Sequence, residues 1–381
     1  MRLQNKPPVG TPQPPVLATA QSKARRWARV STLLQVLATV LACSAAPTLA
    51  QVTNPLDRAA AVQLAGSVLR IEGQRASGGL SLGSGVMVGK ELVVTNCHVT
   101  QDAIRLHVVR GGVRWLVAAQ QVDIDHDLCL LHAPGVQSTV VALATTQPLQ
   151  IGQAVTALGY TGGVDLQHSF GAVVDLHRWQ DSSVVQTSNG FNSGASGGGL
   201  FNADGQLVGI LTFRLRGAEQ HYFAAPAAWV RRLVDTVGNG GLQPVAPLDT
   251  ARLPYWKVQG LQQPRFLQAN VLVGARRWDD LAGLARGWLL DDVDDGEPWY
   301  LLGLALSELQ QQADAAPALD CALRLQPLRE AARARRDALA AAAALNPPAA
   351  DTPAGPSAPT TLAGNTPPPA PAGTLACPLA A

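Results

Sequence analysis

The sequence predicts a multidomain β-plus-α chain, with two β-barrels followed by a small all-α helical-repeat module. Three observations carry this reading. From about Val62 to Phe213, short apolar strands alternate with glycine-rich breaks, which fits barrels better than a parallel sheet. Residues 238–262 then become rich in glycine and proline, as a linker does. Residues 266–345 carry a helical pattern whose spacing matches a known helical repeat. At 381 residues the chain has room for two or more domains.

Residues 1–50 read as an export signal. They hold six basic side chains and no acidic one. Lys23 to Arg29 form a basic cluster, Val30–Ala50 an apolar run, and Thr48-Leu49-Ala50 a small-x-small cleavage site. Two other readings stay open. The run approaches the length of an uncleaved membrane anchor, although Ser31, Thr32, Gln35, Thr39 and Pro47 oppose that. Val40-Leu41-Ala42-Cys43 has the outline of a lipidation box. Membrane contact is expected only if the segment stays uncleaved or is lipidated; otherwise the product is periplasmic or secreted. The formal net charge of +2 falls to −4 without these 50 residues, which gives no footing for nucleic-acid binding.

Residues 51–240 read as the β-domain. Strands are expected at Val68–Ile71, Gly85–Val88, Leu92–Thr95, Leu106–Val109, Trp115–Ala118 and Leu128–Leu131 for one barrel. A second takes Val155–Tyr160, Ala172–Val174, Val184–Gln186 and Leu207–Phe213. Pro226 opens a helix over Ala227–Val237, with Trp229, Leu233 and Val237 on one face and Gly238, Gly240 and Gly241 ending it.

The chemistry centres on residues 186–201, which contain Gly194-Ala195-Ser196-Gly197-Gly198. A serine hydroxyl needs a neighbouring base to attack a carbonyl, and backbone N–H groups to hold the oxyanion that forms. Gly194 and Ser196 are expected to supply those N–H groups. Upstream, the apolar strand Val93–Thr95 leads to His98, and Asp127 stands at the head of another. The order His98, Asp127, Ser196 is that of chymotrypsin-like enzymes. His98 would take the serine proton and return it to the leaving amine, and Asp127 would orient the imidazole. The other histidines (His107, His126, His132, His168, His177 and His221) sit in no motif, and His126 is expected at the surface.

The motifs resemble those of HtrA/DegP-type trypsin-fold serine proteases. They are Gly83-Ser84-Gly85-Val86, Thr95-Asn96-Cys97-His98-Val99, residues 186–200 and Tyr222-Phe223-Ala224-Ala225-Pro226, in order over residues 62–237. Ser193, Ala195 and Gly199 depart from the family's proline, asparagine and proline. The resemblance implies a trypsin-like double β-barrel, peptide-bond hydrolysis through an acyl-enzyme, and a role in envelope protein quality control. It also implies that Ile210–Phe213 is the edge strand for substrate, with Leu211, Thr212 and Phe213 in contact, and that Ser188, Asn189 and Gly190 floor the specificity pocket. No aspartate lies there, so a small or medium apolar side chain is the expected preference. Assembly of His98 with Asp127 would bring Cys97 near Cys129, and a disulfide is expected between them, two buried thiols being the alternative. No Cys-x-x-Cys or His-x-x-x-His spacing occurs, so neither metal nor cofactor is called for.

Residues 241–262 read as the linker and 263–345 as a tetratricopeptide-like module. Trp299, Leu302, Gly303, Leu306, Ala315, Leu319, Ala322 and Pro327 fall at the key repeat spacings. Phe266–Leu290 is a degenerate copy and Leu328–Leu345 a capping helix. Such a module suits a protein partner or self-association. Asp291, Asp292, Asp294 and Asp295 are expected in a solvated inter-helix loop. Residues 346–381, rich in proline and alanine, are expected to be disordered. The leading function is an exported serine endopeptidase acting on protein or peptide substrates. The alternative is a weakly active scaffold whose helical module is an adaptor, and an esterase is a third reading.

Overall fold

The computed structural model describes residues 58–144, 148–216, 220–345 and 377–378. The expected export signal and nearly all of the expected disordered tail lie outside these residues. The chain enters through helix α1 (Arg58–Ser67), ahead of the first expected strand, and Leu64 of this helix is buried. The first barrel is built from β1 (Val68–Arg75), β2 (Leu80–Gly89), β3 (Leu92–Thr95), β4 (Ala103–Arg110), β5 (Val113–Leu116), β6 (Ala119–Asp123) and β7 (Leu128–His132). A single turn of helix, α2 (Cys97–Thr100), sits between β3 and β4.

The sheet is antiparallel, in the order β6-β7-β3-β2-β1-β4-β5. At the corner between β5 and β6, Val117 N–H donates to the Leu106 carbonyl of β4 and Ala118 N–H to the His132 carbonyl of β7. That corner joins the β4–β5 pair to the β6–β7 pair. Strand alternation sorts the side chains. Leu69, Ile71, Met87, Val93, Leu106 and Leu131 fill one core, while Val68, Val86, Val94, Leu128 and Leu130 face the second barrel.

The second barrel comprises β8 (Ala154–Thr161), β9 (Asp165–Trp179), β10 (Ser182–Thr187), β11 (Gly199–Phe201), β12 (Leu207–Arg216) and β13 (Gln220–Pro226). It is closed, in the order β10-β13-β12-β11-β8-β9, around Val155, Val173, Val185, Leu200, Leu211 and Ala224. Helix α3 (Ala227–Asp235) follows and buries Trp229 and Leu233. It stops two residues short of the expected end, where a 3₁₀ turn takes over at Val237–Asn239.

The connecting segment is fastened along its length. Its strand β14 (Gln243–Pro244) pairs with Ala119 and Gln120 of β6. Leu248 N–H donates to the Gln101 carbonyl (2.8 Å) and Tyr255 N–H to the Asp125 carbonyl (3.0 Å). The buried Tyr255 ring stacks on Trp179 at 4.5 Å and meets Trp229 and Phe213 edge-on.

The C-terminal region is all α: α4 (Arg265–Gly274), α5 (Trp278–Asp291), α6 (Gly296–Glu308), α7 (Gln312–Leu325) and α8 (Glu330–Leu345). The expected repeat positions Trp299, Leu302, Leu306, Ala315, Leu319 and Ala322 are buried. A Cβ on Gly303 would lie 2.6 Å from the Leu319 side chain, so this glycine is what lets α6 and α7 approach. Helix α8 buries only Ala332. The barrels and the helices belong to one compact unit, and one apolar cluster runs through Phe213, Phe223, Trp229 and Tyr255 into Phe266, Trp288 and Trp299.

Three expectations change here. The aspartates before α6 are not simply solvated. Asp295 is buried and accepts from Glu297 N–H as the helix cap, Asp292 pairs with Arg178, and Asp291 with Arg265. His126 is no bare surface residue. It packs 4.3 Å from the Trp229 ring, with Nδ1 on Asp123 (2.7 Å) and Nε2 on Gln180 (2.9 Å). Cys377, in the tail expected to be free of structure, is disulfide-bonded to Cys321 of α7.

Candidate active site

His98 is placed by α2, which follows β3 directly. Asp127 occupies the turn before β7 with φ of +58°, a left-handed conformation that a short polar residue tolerates. The two elements are clamped together. Cys97 N–H donates to the Asp127 carbonyl (3.2 Å), Asn96 Nδ2 to the same carbonyl (2.9 Å), and Cys97 is disulfide-bonded to Cys129 with Cα atoms 4.9 Å apart.

Asp127 is almost wholly buried, so its carboxylate must be satisfied by the protein. His98 N–H donates to Oδ1 at 2.9 Å, and His98 Nδ1 meets Oδ2 at 2.6 Å. The indole N–H of Trp256 donates to the same Oδ2 at 3.0 Å. A carboxylate accepting from Nδ1–H leaves Nε2 as the acceptor nitrogen of a neutral imidazole. The Trp256 ring also stands edge-on to the His98 ring at 5.7 Å and stacks on Phe213 at 5.1 Å. Burial, and then the Asp127 charge, push the neighbouring Tyr255 phenol well above its ordinary value.

Ser196 lies on the glycine loop between β10 and β11. Its carbonyl accepts from Ser84 N–H (2.8 Å), and Ser84 Oγ donates to the Gly194 carbonyl (2.8 Å). Gly194 has φ of +93°, and a Cβ there would come within 2.5 Å of the Tyr160 carbonyl oxygen. Gly197 has φ of +86° and lies against the Ser84 carbonyl. Both positions require glycine. Among the described residues, the N–H groups of Gly194 and Ser196 donate to no protein acceptor, whereas Ala195, Gly197 and Gly198 donate to Asn192, Leu211 and Ala195.

Thr212 ties the two halves together. Its hydroxyl accepts from Asn96 Nδ2 (3.2 Å), two residues before His98, and its carbonyl accepts the Ser196 hydroxyl at 3.4 Å. His98 and Asp127 are therefore directly bonded, while Ser196 rests on Thr212.

The expected pocket residues divide. Gly190 and Leu211 line a small pocket with Phe191, Asn192, Ala195 and His168. Asn189 is fully buried and donates to the Val155 and Ser169 carbonyls, and Ser188 Oγ accepts from Ala172 N–H. Along β12, Ile210 pairs with Gly199, and Leu211 is engaged by Gly197 and Gly198. From Phe213 to Arg216 the strand pairs with β13 alone among the described residues, which leaves its other side open. Arg214 reaches Asn192 Oδ1 at 2.8 Å.

Sequence reasoning passed over Trp256, and named Ser84 within a motif without giving it a role. The available signal for Trp256 was an aromatic pair, Tyr255-Trp256, stranded in a glycine- and proline-rich stretch.

Residues 83–210 match the family described as the trypsin-like peptidase domain. That stretch is similar to a trypsin-like peptidase domain. Its relatives include a probable periplasmic serine endoprotease, DegP-like, of Chlamydia muridarum, 28% identical over 169 residues (42% of this chain, 34% of the relative). A DegP-like counterpart from Marinomonas is 34% identical over 179 residues (45% and 37%). Serine protease HTRA4 of mouse is 30% identical over 179 residues (44% and 37%). Among solved structures, a serine endoprotease from Yersinia pestis is similar at 27% identity and a TM-score of 0.44, covering 48% of this chain and 66% of that one. The chain spans about a third of the length of these curated relatives. No helix among the described residues is long and apolar enough to cross a membrane.

Proposed function

We propose that this protein is an exported serine endopeptidase that cleaves polypeptides through an acyl-enzyme, with Ser196 as nucleophile, His98 as general base and acid, and Asp127 as the orienting carboxylate. The observation that carries the reading is the pair of buried Asp127 and partly exposed His98, beside a glycine loop on which, among the described residues, the Gly194 and Ser196 N–H groups have no protein acceptor. Rotation of Ser196 from the Thr212 carbonyl toward Nε2 would set up proton transfer. Ser196 Oγ then bonds to the scissile carbonyl carbon as its proton passes to His98. The oxyanion is held by the Gly194 and Ser196 N–H groups, and His98 returns the proton to the departing amine. Water, activated by the same imidazole, releases the acyl group.

The open side of β12 after Leu211 suits pairing with an extended substrate backbone, which favours a peptide over a simple ester. The pocket lined by Gly190, Phe191 and Ala195 carries no carboxylate and suits a small or medium apolar side chain. The DegP-like relatives are named as periplasmic, which supports export to the cell envelope, and envelope polypeptides are the substrates we assign. We divide the chain into an export signal (1–50), the peptidase domain (51–240), a connecting strap (241–262) and a tetratricopeptide-like module (263–345).

Incubation of the mature protein with an unfolded polypeptide tests the reading. Cleavage is expected, with kcat/KM falling by about 10⁴-fold or more in Ser196→Ala and in His98→Ala. Cleavage that survives in Ser196→Ala, or its absence from the folded wild type, contradicts it.

A further inference from the structure

The strap brings an indole into the catalytic cleft. Trp256 belongs to the segment joining the two domains, yet its N–H donates to Asp127 Oδ2, its edge meets His98, and its face stacks on Phe213 of β12. Lys257 Nζ lies 4.8 Å from the ring centroid. The ring is fixed on both sides in sequence. Tyr255 is wedged among Trp179, Trp229 and Phe213, with its N–H on the Asp125 carbonyl, and Lys257 N–H donates to the Pro254 carbonyl. Arg252 pairs with Asp125 at 2.8 Å. The indole is therefore a built part of the wall between His98 and Phe213.

The geometry of an extended substrate says what that wall meets. Side chains along a strand alternate between opposite faces. A peptide lying along the open side of β12, with its carbonyl at Ser196, sends one side chain into the pocket lined by Gly190, Phe191 and Leu211. The side chain of the preceding residue then points the other way, toward His98, Trp256 and Phe213. Indole already fills the space between the imidazole and the Phe213 ring. We infer that Trp256 is a specificity-determining residue, restricting the substrate position immediately before the pocket-bound residue to small side chains. The hydrogen bond to Asp127 keeps the ring in place, so strap and catalytic pair form one rigid unit.

This inference rests on the peptidase reading, and its test separates the two. Peptides that differ only at the position before the pocket-bound residue, glycine or alanine against leucine or phenylalanine, are assayed with wild type, Trp256→Phe and Trp256→Ala. The readout is the ratio of kcat/KM for bulky over small peptides, from which any general loss of folded or active protein cancels. The wild type is expected to favour the small side chains. In Trp256→Ala the ratio is expected to rise by about 10-fold or more. In Trp256→Phe the ring remains and the preference is expected to be largely kept. An unchanged ratio in Trp256→Ala, with cleavage still dependent on Ser196, overturns the inference and leaves the peptidase reading intact. Absence of Ser196-dependent cleavage in the wild type overturns both.

Discussion

Gly197 shows how tightly single residues are held around Ser196. Its φ of +86° is costly for a residue with a side chain, and a Cβ there would overlap the Ser84 carbonyl oxygen and the Thr95 hydroxyl. Both neighbours are fixed, since Thr95 Oγ1 donates to that same carbonyl at 2.6 Å. Gly197→Ala is expected to destabilise the fold by at least about 2 kcal/mol, from the left-handed backbone and the clash together. Urea denaturation measures it, and a stability equal to wild type would contradict the tight packing described. The glycines flanking Ser196 were legible in the sequence because their spacing from the serine is local. The pairing of His98 with Asp127 was legible because each ends or heads an apolar strand. Trp256 was not, since its role is created by a contact across 129 residues that no local pattern encodes.

Among the elements, α2 and the turn before β7 matter most, because they carry His98 and Asp127. Backbone hydrogen bonds, the Asn96 side chain and the Cys97–Cys129 disulfide join them side by side. The disulfide could be anticipated once the two motifs were set next to each other. The short central strands were legible from apolar runs and glycine breaks, and β3 and β7 fall close to where the sequence places them. The 15-residue β9 was caught only in part, because its ends beyond the barrel core alternate with polar residues. The two-residue β14 has no periodicity to read and forms because β6 offers a free edge. The strap likewise owes its order to what it lies on: β6, the Asp125 turn and the aromatic surface of the second barrel. Its glycine and proline content conceals this.

The whole molecule is joined by a buried polar cluster between the second barrel and the helices. His177 of β9 is hydrogen-bonded through Nδ1 to Glu297 of α6 (2.8 Å) and through Nε2 to Gln186 of β10 (2.8 Å). Asp175 pairs with Arg329 at 2.5 Å, and the Phe266 ring stacks on His177 at 4.4 Å. Asp175, His177 and Glu297 could hold a cation by proximity alone, yet Arg329 and Gln186 already engage two of them.

Burial by itself would lower His177. The charges of Glu297 and Asp175, with the hydrogen bonds to Glu297 and Gln186, outweigh it and hold the imidazole at about 9. His177 thus binds its proton more tightly in the folded chain than its ordinary 6.5. Its contribution is complete below about pH 6.5 and is lost as pH rises toward about 9, on the order of 3 kcal/mol in all. Burial, and then the Glu297 charge, raise Asp295 to about 7, so stability drifts down from the acid side as well. The expected outcome is a thermal midpoint that falls between pH 6.5 and 9, with a flatter profile in His177→Phe. An equal slope in that variant would remove His177 from the account. None of this cluster was legible in the sequence, because His177 and Glu297 lie 120 residues apart in no motif.

The central claim is that Ser196 is a nucleophile activated by His98 and Asp127. The measurement that tests it most directly is reaction of the mature protein with a fluorophosphonate, followed by mass-spectrometric mapping of the adduct. The account predicts a single adduct on Ser196, absent from Ser196→Ala and from His98→Ala. Folded wild type that takes no adduct, or labelling of Ser196 that persists without His98, would contradict it.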